Sequence, residues 1–172
     1  IRNDILVGYN RRYYETVDAL RQRLATERPI GVSTRLCETV IRQKQRFGET
    51  IVENLLAFST AHSLDLLLHL LGPLKVGSQT SFVHEGEAAP FRSHSALLET
   101  TDKIPVLLEI AGEDPGPSEI RFRFSDGSAW RLSPLETLTA FQGVTVEEAT
   151  IERPFRQYTP NTVKTIFADT HL

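Results

Sequence analysis

The chain has 172 residues, 40% hydrophobic and 24% charged, with a formal net charge of −3. This is the composition of one globular domain large enough to bury a core. The charge leaves no basic footprint for nucleic acid or an anionic membrane surface, and no uninterrupted apolar run reaches the length of a bilayer span, so neither partner is expected. A single cysteine, Cys37, excludes an internal disulfide. In a strand-like run it is expected to be a buried structural thiol, and a cytoplasmic setting is the matching expectation. The sequence has no methionine, even at position 1, and opens directly on "DILVGYN". It is therefore expected to be a piece of a longer protein.

In chain order, residues 4–9 suggest a short apolar strand. "YYETVDALRQRLATE", residues 13–27, places Val17, Leu20 and Leu24 on one stripe, which predicts a helix stopped by Pro29 and Gly31. "GVSTRLCETVIRQ", residues 31–43, alternates, with Val32, Thr34 and Leu36 on one face and Ser33, Arg35 and Cys37 on the other. Thr50 and Glu53 fit a capping box, and Gly72-Pro73 is a stop signal. Between them residues 64–71 are apolar nearly all round, which predicts a central helix covered on most sides.

After Pro73 the period changes. "LKVGSQTSFVH", "SHSALLETT", "KIPVLLEIAG", "SEIRFRFS" and "SAWRLS" are strand candidates. Near the end, "GVTVEEATIE" alternates as a strand does, and "TPNTVKTIFADTHL" predicts a helix capped by Thr159. Helices first and antiparallel strands afterwards define an α+β fold: an open-faced, mostly antiparallel sheet with helices packed on one face.

One hairpin can be specified. A two-residue Asp126-Gly127 loop would put the row Ile120, Phe122, Phe124 and the row Trp130, Leu132 on opposite faces. A three-residue loop with Gly127 in the left-handed region sets Phe122 opposite Trp130. Arg121, Arg123 and Arg131 then share the other face and need water or an acid such as Glu109 beside them. "IPVLLEI", residues 104–110, is apolar on both faces, which asks for cover on both.

The stretch "AHSLDLLLHLLGP", residues 61–73, sets three ionisable groups in an apolar run. His62, Asp65 and His69 are spaced i, i+3 and i+7, nearly on one face. The two histidines start roughly 10 Å apart along the axis, too far to share a metal with bonds of about 2 Å. No metal site is expected, and "HEGE" at 84–87 lacks the second histidine of a zinc-protease motif. His62 and Asp65 are within reach. They form either an acid–base pair or a buried histidine satisfied by a neighbouring acid. His69 fits a polar tip whose proton the helix C-terminus tolerates.

"VGYNRRYYETVDALRQRL" followed, after a strand, by "AHSLDLLLHLLG" resembles the C-terminal half of the Gfo/Idh/MocA oxidoreductases. The resemblance implies NAD(P)-dependent oxidation or reduction of sugars or polyols. It makes residues 1–10 the remnant last strand of a Rossmann domain and residues 11–172 a substrate-binding and oligomerisation domain. It puts a catalytic histidine at His62, a common acid at Asp65, and cofactor- and substrate-approaching positions at Tyr9, Asn10, Arg11 and Arg12. It also implies a homodimer or tetramer through the sheet face. Two departures stand out. Phe58 occupies a position where many members carry an aspartate, with Ser59 the nearest polar residue. No Gly-rich dinucleotide turn is present. NAD or NADP is thus expected in a parent protein and not bound by these residues alone. A non-catalytic interaction module that kept the fold is the alternative.

Overall fold

The computed structural model describes residues 8–168. Residues 4–7 of the strand expected at 4–9, and with them most of the remnant assigned to 1–10, lie outside the described residues, and Gly8 and Tyr9 are not in a strand. Asn10–Tyr13 form a single 3-10 turn that leads into α1 (Glu15–Thr26). The apolar stripe of α1 does what its spacing requires: Val17 and Leu20 are fully buried, and Leu24 packs against them at the edge.

The remaining elements are β1 (Gly31–Glu38), α2 (Val40–Phe47), α3 (Thr50–Leu55), α4 (Ala61–Leu71), β2 (Leu74–Val83), β3 (Arg92–Thr100), β4 (Pro105–Gly112), β5 (Glu119–Arg123), β6 (Ser128–Leu132), β7 (Thr137–Glu147) and β8 (Gln157–Phe167). The eight strands form one sheet in the order β2-β3-β4-β1-β5-β6-β7-β8. Among the described residues only β1 and β4 pair in parallel. This is the α+β, open-faced, mostly antiparallel sheet that the sequence implies.

The sheet's inner face carries Val32 and Leu36 of β1, Val106 and Ile110 of β4, Ile120 and Phe122 of β5, and Leu132 of β6, all buried. The helices supply Leu20, Leu66 and Leu67 to one cluster and Val40, Val52 and Leu55 to a second. Each such side chain, fully buried, contributes about 1.5–3 kcal/mol before entropy is counted. The hairpin has the expected register, Phe122 opposite Trp130 and Arg121 opposite Arg131, with Gly127 at φ 79°. The acid beside the arginines differs from expectation. Glu119 lies 3.8 Å from Arg131, while Glu109 lies 3.8 Å from Arg35.

Several local expectations need correction. The strand-like run 31–43 stops at Glu38, and residues 40–47 are helical, because Arg42, Gln43, Lys44, Gln45 and Arg46 are strong helix formers facing water. The Thr50/Glu53 capping box does not form: Glu49 is the cap residue, already helical, and makes no side-chain cap bond. The stop at Gly72 holds, with φ 75° and its N–H on the Leu68 carbonyl. Leu68 is 47% exposed, so α4 is covered on the sheet side only. Cys37 is half-buried on the open face, with burial pushing its thiol pKa up. The C-terminal helix expected from Thr159 is instead the edge strand β8. Its β-branched residues Thr162, Val163, Thr165 and Ile166 suit a strand, and β7 offers a ladder for them.

Residues Thr50–Leu71 are helical throughout. The 22 residues, with mean hydropathy 1.2, are long and apolar enough to span a bilayer, a property that a core-covering helix shares. Here Val52, Leu55, Leu66 and Leu67 are buried against the sheet. The helix is not regular. Leu56–Thr60 form a π turn between α3 and α4. Such single wide turns recur at functional sites.

Candidate functional site

The π turn ends two residues before His62, and the 3-10 turn Asn10–Tyr13 lies across it. Between them is an open cleft of about 340 Å³ lined by Asn10, Arg11, Tyr14, Phe58, Ser59 and His62. Tyr9 meets the His62 ring edge-on, with centroids 5.3 Å apart at 69°. On its other flank the Arg12 guanidinium lies 5.8 Å from the Tyr9 ring. The six residues singled out from the sequence, Tyr9, Asn10, Arg11, Arg12, His62 and Asp65, are therefore brought together.

Their pairing differs from the simplest expectation. Asp65 does not bond to His62. It accepts from Arg12 at two points, Nε to Oδ2 at 2.6 Å and Nη2 to Oδ1. No hydrogen bond among the described residues engages the His62 ring. Arg11 donates to Ser63 Oγ at 3.2 Å and lies 3.6 Å from Glu136. Asn10 donates weakly to the Tyr14 hydroxyl at 3.5 Å. His62 is half-buried at the cleft wall, with donors beside it and its nitrogens taken by no hydrogen bond from the described residues.

His69 departs from expectation. Its Nε2 is buried and unpaired, and burial, with Arg21 and Arg12 nearby, lowers its pKa. Among the described residues no three His, Cys, Asp or Glu side chains gather as a metal site would need.

Two residues beneath the cleft escaped the sequence reading. Glu38 is 5% exposed and Thr60 is 1% exposed, and Thr60 Oγ1 donates to Glu38 Oε1 at 2.6 Å. A signal was present: Glu38 continues the inward parity of Val32, Thr34 and Leu36, so its carboxylate had to be inside.

No helix start among the described residues offers the open N-terminus that a dinucleotide's pyrophosphate uses. A pyrophosphate seeks free N–H groups and positive potential at a helix N-terminus. Here α1 opens with Glu15 and Asp18, α3 carries Glu53 in its first turn, and the Ile41 N–H of α2 is taken by Glu113. α4 continues out of the π turn and has no open end.

No family model and no curated protein matches the chain. Solved structures do. A D-galactose-1-dehydrogenase from Rhizobium etli is 20% identical, with a TM-score of 0.63 over 77% of this chain and 44% of its own. A UDP-N-acetylglucosamine 3-dehydrogenase from Acidithiobacillus ferrooxidans is 14% identical, with a TM-score of 0.58 over 96% of this chain and 48% of its own. An NAD binding oxidoreductase from Klebsiella pneumoniae is 12% identical, with a TM-score of 0.62 over 96% and 47%. At these identities the likeness is one of fold. The chain has the fold of the C-terminal domain of Gfo/Idh/MocA-type dehydrogenases and spans about half the length of the solved chains it matches.

Proposed function

We propose that the chain is the substrate-binding and assembly half of an NAD(P)-dependent dehydrogenase acting on a CH–OH group of a sugar or polyol. In this reading residues 11–172 form that half and residues 1–10 are the end of a Rossmann domain. The observation that carries it is the placement of His62: a half-buried imidazole in an open cleft, beside the donors Arg11 and Asn10, with no hydrogen bond from the described residues.

The chemistry follows from the groups. His62 accepts the proton of a substrate hydroxyl as its carbon is oxidised and returns it in the reverse direction, a contribution of about 10²–10⁴-fold. Arg11 and Asn10 donate to neighbouring substrate oxygens. Asp65 acts at one remove by fixing Arg12, which flanks Tyr9 and through it the His62 ring. The hydride acceptor is NAD or NADP, held outside these residues. The names of the galactose and UDP-N-acetylglucosamine dehydrogenases and of the NAD binding oxidoreductase support that assignment. A cytoplasmic setting belongs to the same reading and suits a lone unpaired thiol.

A second reading has one observation in its favour. Phe58, 48% exposed, lines the cleft with an apolar ring and offers His62 nothing to orient it. An interaction module that kept the fold would tolerate that. Steady-state kinetics of the intact protein with NAD and NADP, against a panel of aldoses, aminosugar nucleotides and polyols, separates the two. The dehydrogenase reading expects turnover and a loss of at least about 100-fold in kcat in His62→Asn. Turnover that survives His62→Asn, or no turnover at all, favours the module.

A further inference from the structure

We propose that Glu38 is a positioning residue of the His62 cleft: it anchors the π turn through Thr60 and sets a buried carboxylate beneath the site. The inference rests on reading that cleft as the site. Glu38 is the last residue of β1, and its carboxylate is buried beneath the cleft. A carboxylate removed from water costs several kcal/mol unless hydrogen bonds and opposite charge offset the loss. The fold gives it such partners, all from the cleft. Burial pushes the Glu38 pKa up, while hydrogen bonds from Thr60 and Ser59 and the charge of Arg11 hold it down. No ion pair among the described residues closes on it directly.

These partners belong to the elements that build the site. Ser59 and Thr60 are the last two residues of the π turn, and His62 is the second residue of α4, which follows directly. Ser59 lines the cleft, while Thr60 points into the core. The strand end beneath is fixed as well, since the Glu38 carbonyl accepts from Glu113 N–H at 2.8 Å. A π turn is less favourable than the α-helix it interrupts and persists where its surroundings hold it. The Thr60–Glu38 bond is such a hold. The other acids around the cleft are already paired: Asp65 with Arg12, and Glu136 with Arg11. Glu38 is the carboxylate left buried beneath the cleft.

Two variants of the intact protein separate the two roles. Glu38→Gln keeps an acceptor for Thr60 but removes the charge. Thr60→Val keeps the shape and the charge but removes the donor. The deciding readout is the NMR titration of the His62 ring, which requires no turnover. In Glu38→Gln the buried negative charge beneath the cleft is lost, so the His62 midpoint should fall by at least about 0.3 pH unit. In Thr60→Val kcat should fall about 10-fold or more with KM within about threefold, as misaimed groups lose rate before affinity. If Glu38→Gln does not fold, Glu38→Asp replaces it. The charge stays but the reach shortens, so Glu38→Asp should reproduce the kcat loss of Thr60→Val. A His62 midpoint unmoved by Glu38→Gln, or, where Gln fails to fold, Glu38→Asp kinetics indistinguishable from the parent's, makes Glu38 a buried acid and no more. A protein without any dehydrogenase turnover defeats the proposed function, yet the His62 titration still decides the role of Glu38. Turnover that needs His62 but ignores Glu38 and Thr60 defeats this inference alone.

Discussion

Arg12 and Asp65 are joined at two points across 53 residues of sequence, and the pair is unequal: the Asp65 side chain is 12% exposed, the Arg12 side chain 38%. The inequality fixes which partner is missed more. Arg12→Met leaves a mostly buried carboxylate without a partner, whereas Asp65→Asn leaves a guanidinium that can reach water. Arg12→Met should therefore lower Tm more than Asp65→Asn, and the double variant should be no less stable than Arg12→Met. Thermal melts of the four proteins in one buffer measure this. The reverse order would mean that the pair is a surface contact of no consequence.

His69 should make the fold acid-sensitive. Its folded pKa lies below the ordinary value of 6.5, through burial first and the nearby Arg21 and Arg12 next. Below about pH 6.5 the unfolded chain then binds more protons than the folded one, so stability falls as pH falls toward the folded pKa. Above that window the contribution is constant. His69→Leu removes the titration and the unpaired Nε2 together. Its Tm should depend less on pH between about 5 and 6.5 than that of the parent protein. Parallel Tm–pH curves for the two proteins would count against it. His69→Asn should change kcat far less than His62→Asn, since position 69 lies outside the cleft lining.

Gly127 tests the hairpin. Its φ of 79° is required by the three-residue loop, and nothing lies within 4 Å of where a Cβ would stand. The cost of Gly127→Ala is thus conformational only, about 1–2 kcal/mol, and Gly127→Asn should cost less. Urea unfolding of the three proteins gives the ranking. An alanine variant as stable as the parent would mean that the loop relaxes to another turn.

The hairpin was legible because its register depends on neighbours in sequence: the rows Ile120-Phe122-Phe124 and Trp130-Leu132 match in only one loop geometry. The parallel pairing of β1 with β4 was not, since Val32 and Val106 meet from far apart in the sequence and alternation says nothing about strand direction. β8 was misread for a related reason: Thr159-Pro160 mimics a helix start, and only the β7 ladder reveals the strand. In the site, spacing brought out His62 and Asp65 but could not tell that Arg12 takes the carboxylate. The π turn is invisible in the sequence because its residues, "LAFST", carry no helix-breaking signal.

Assembly gives the last prediction. The helices cover one face of the sheet, and the other is bare in the protomer. On it Leu97 and Leu107 sit directly opposite each other on β3 and β4, 45% and 55% exposed. Around them lie Arg35 with Glu109 and Arg131 with Glu119, both pairs at 3.8 Å. An apolar centre ringed by charged pairs is the anatomy of an interface, and a self-complementary face closes most simply as a twofold dimer. The expected cover is a second copy, as a homodimer or a dimer of dimers, burying on the order of 1,200–2,000 Å² in each interface. Sedimentation velocity of the intact protein at micromolar concentration should give at least twice the protomer mass. Leu107→Glu should return it to the protomer mass, because a carboxylate at the apolar centre cannot be buried unpaired. Leu107 is exposed in the protomer, so the variant should keep its far-UV circular dichroism, which separates lost assembly from lost folding. A wild-type protein that sediments as a single protomer at tens of micromolar would show that the face serves something other than a second copy.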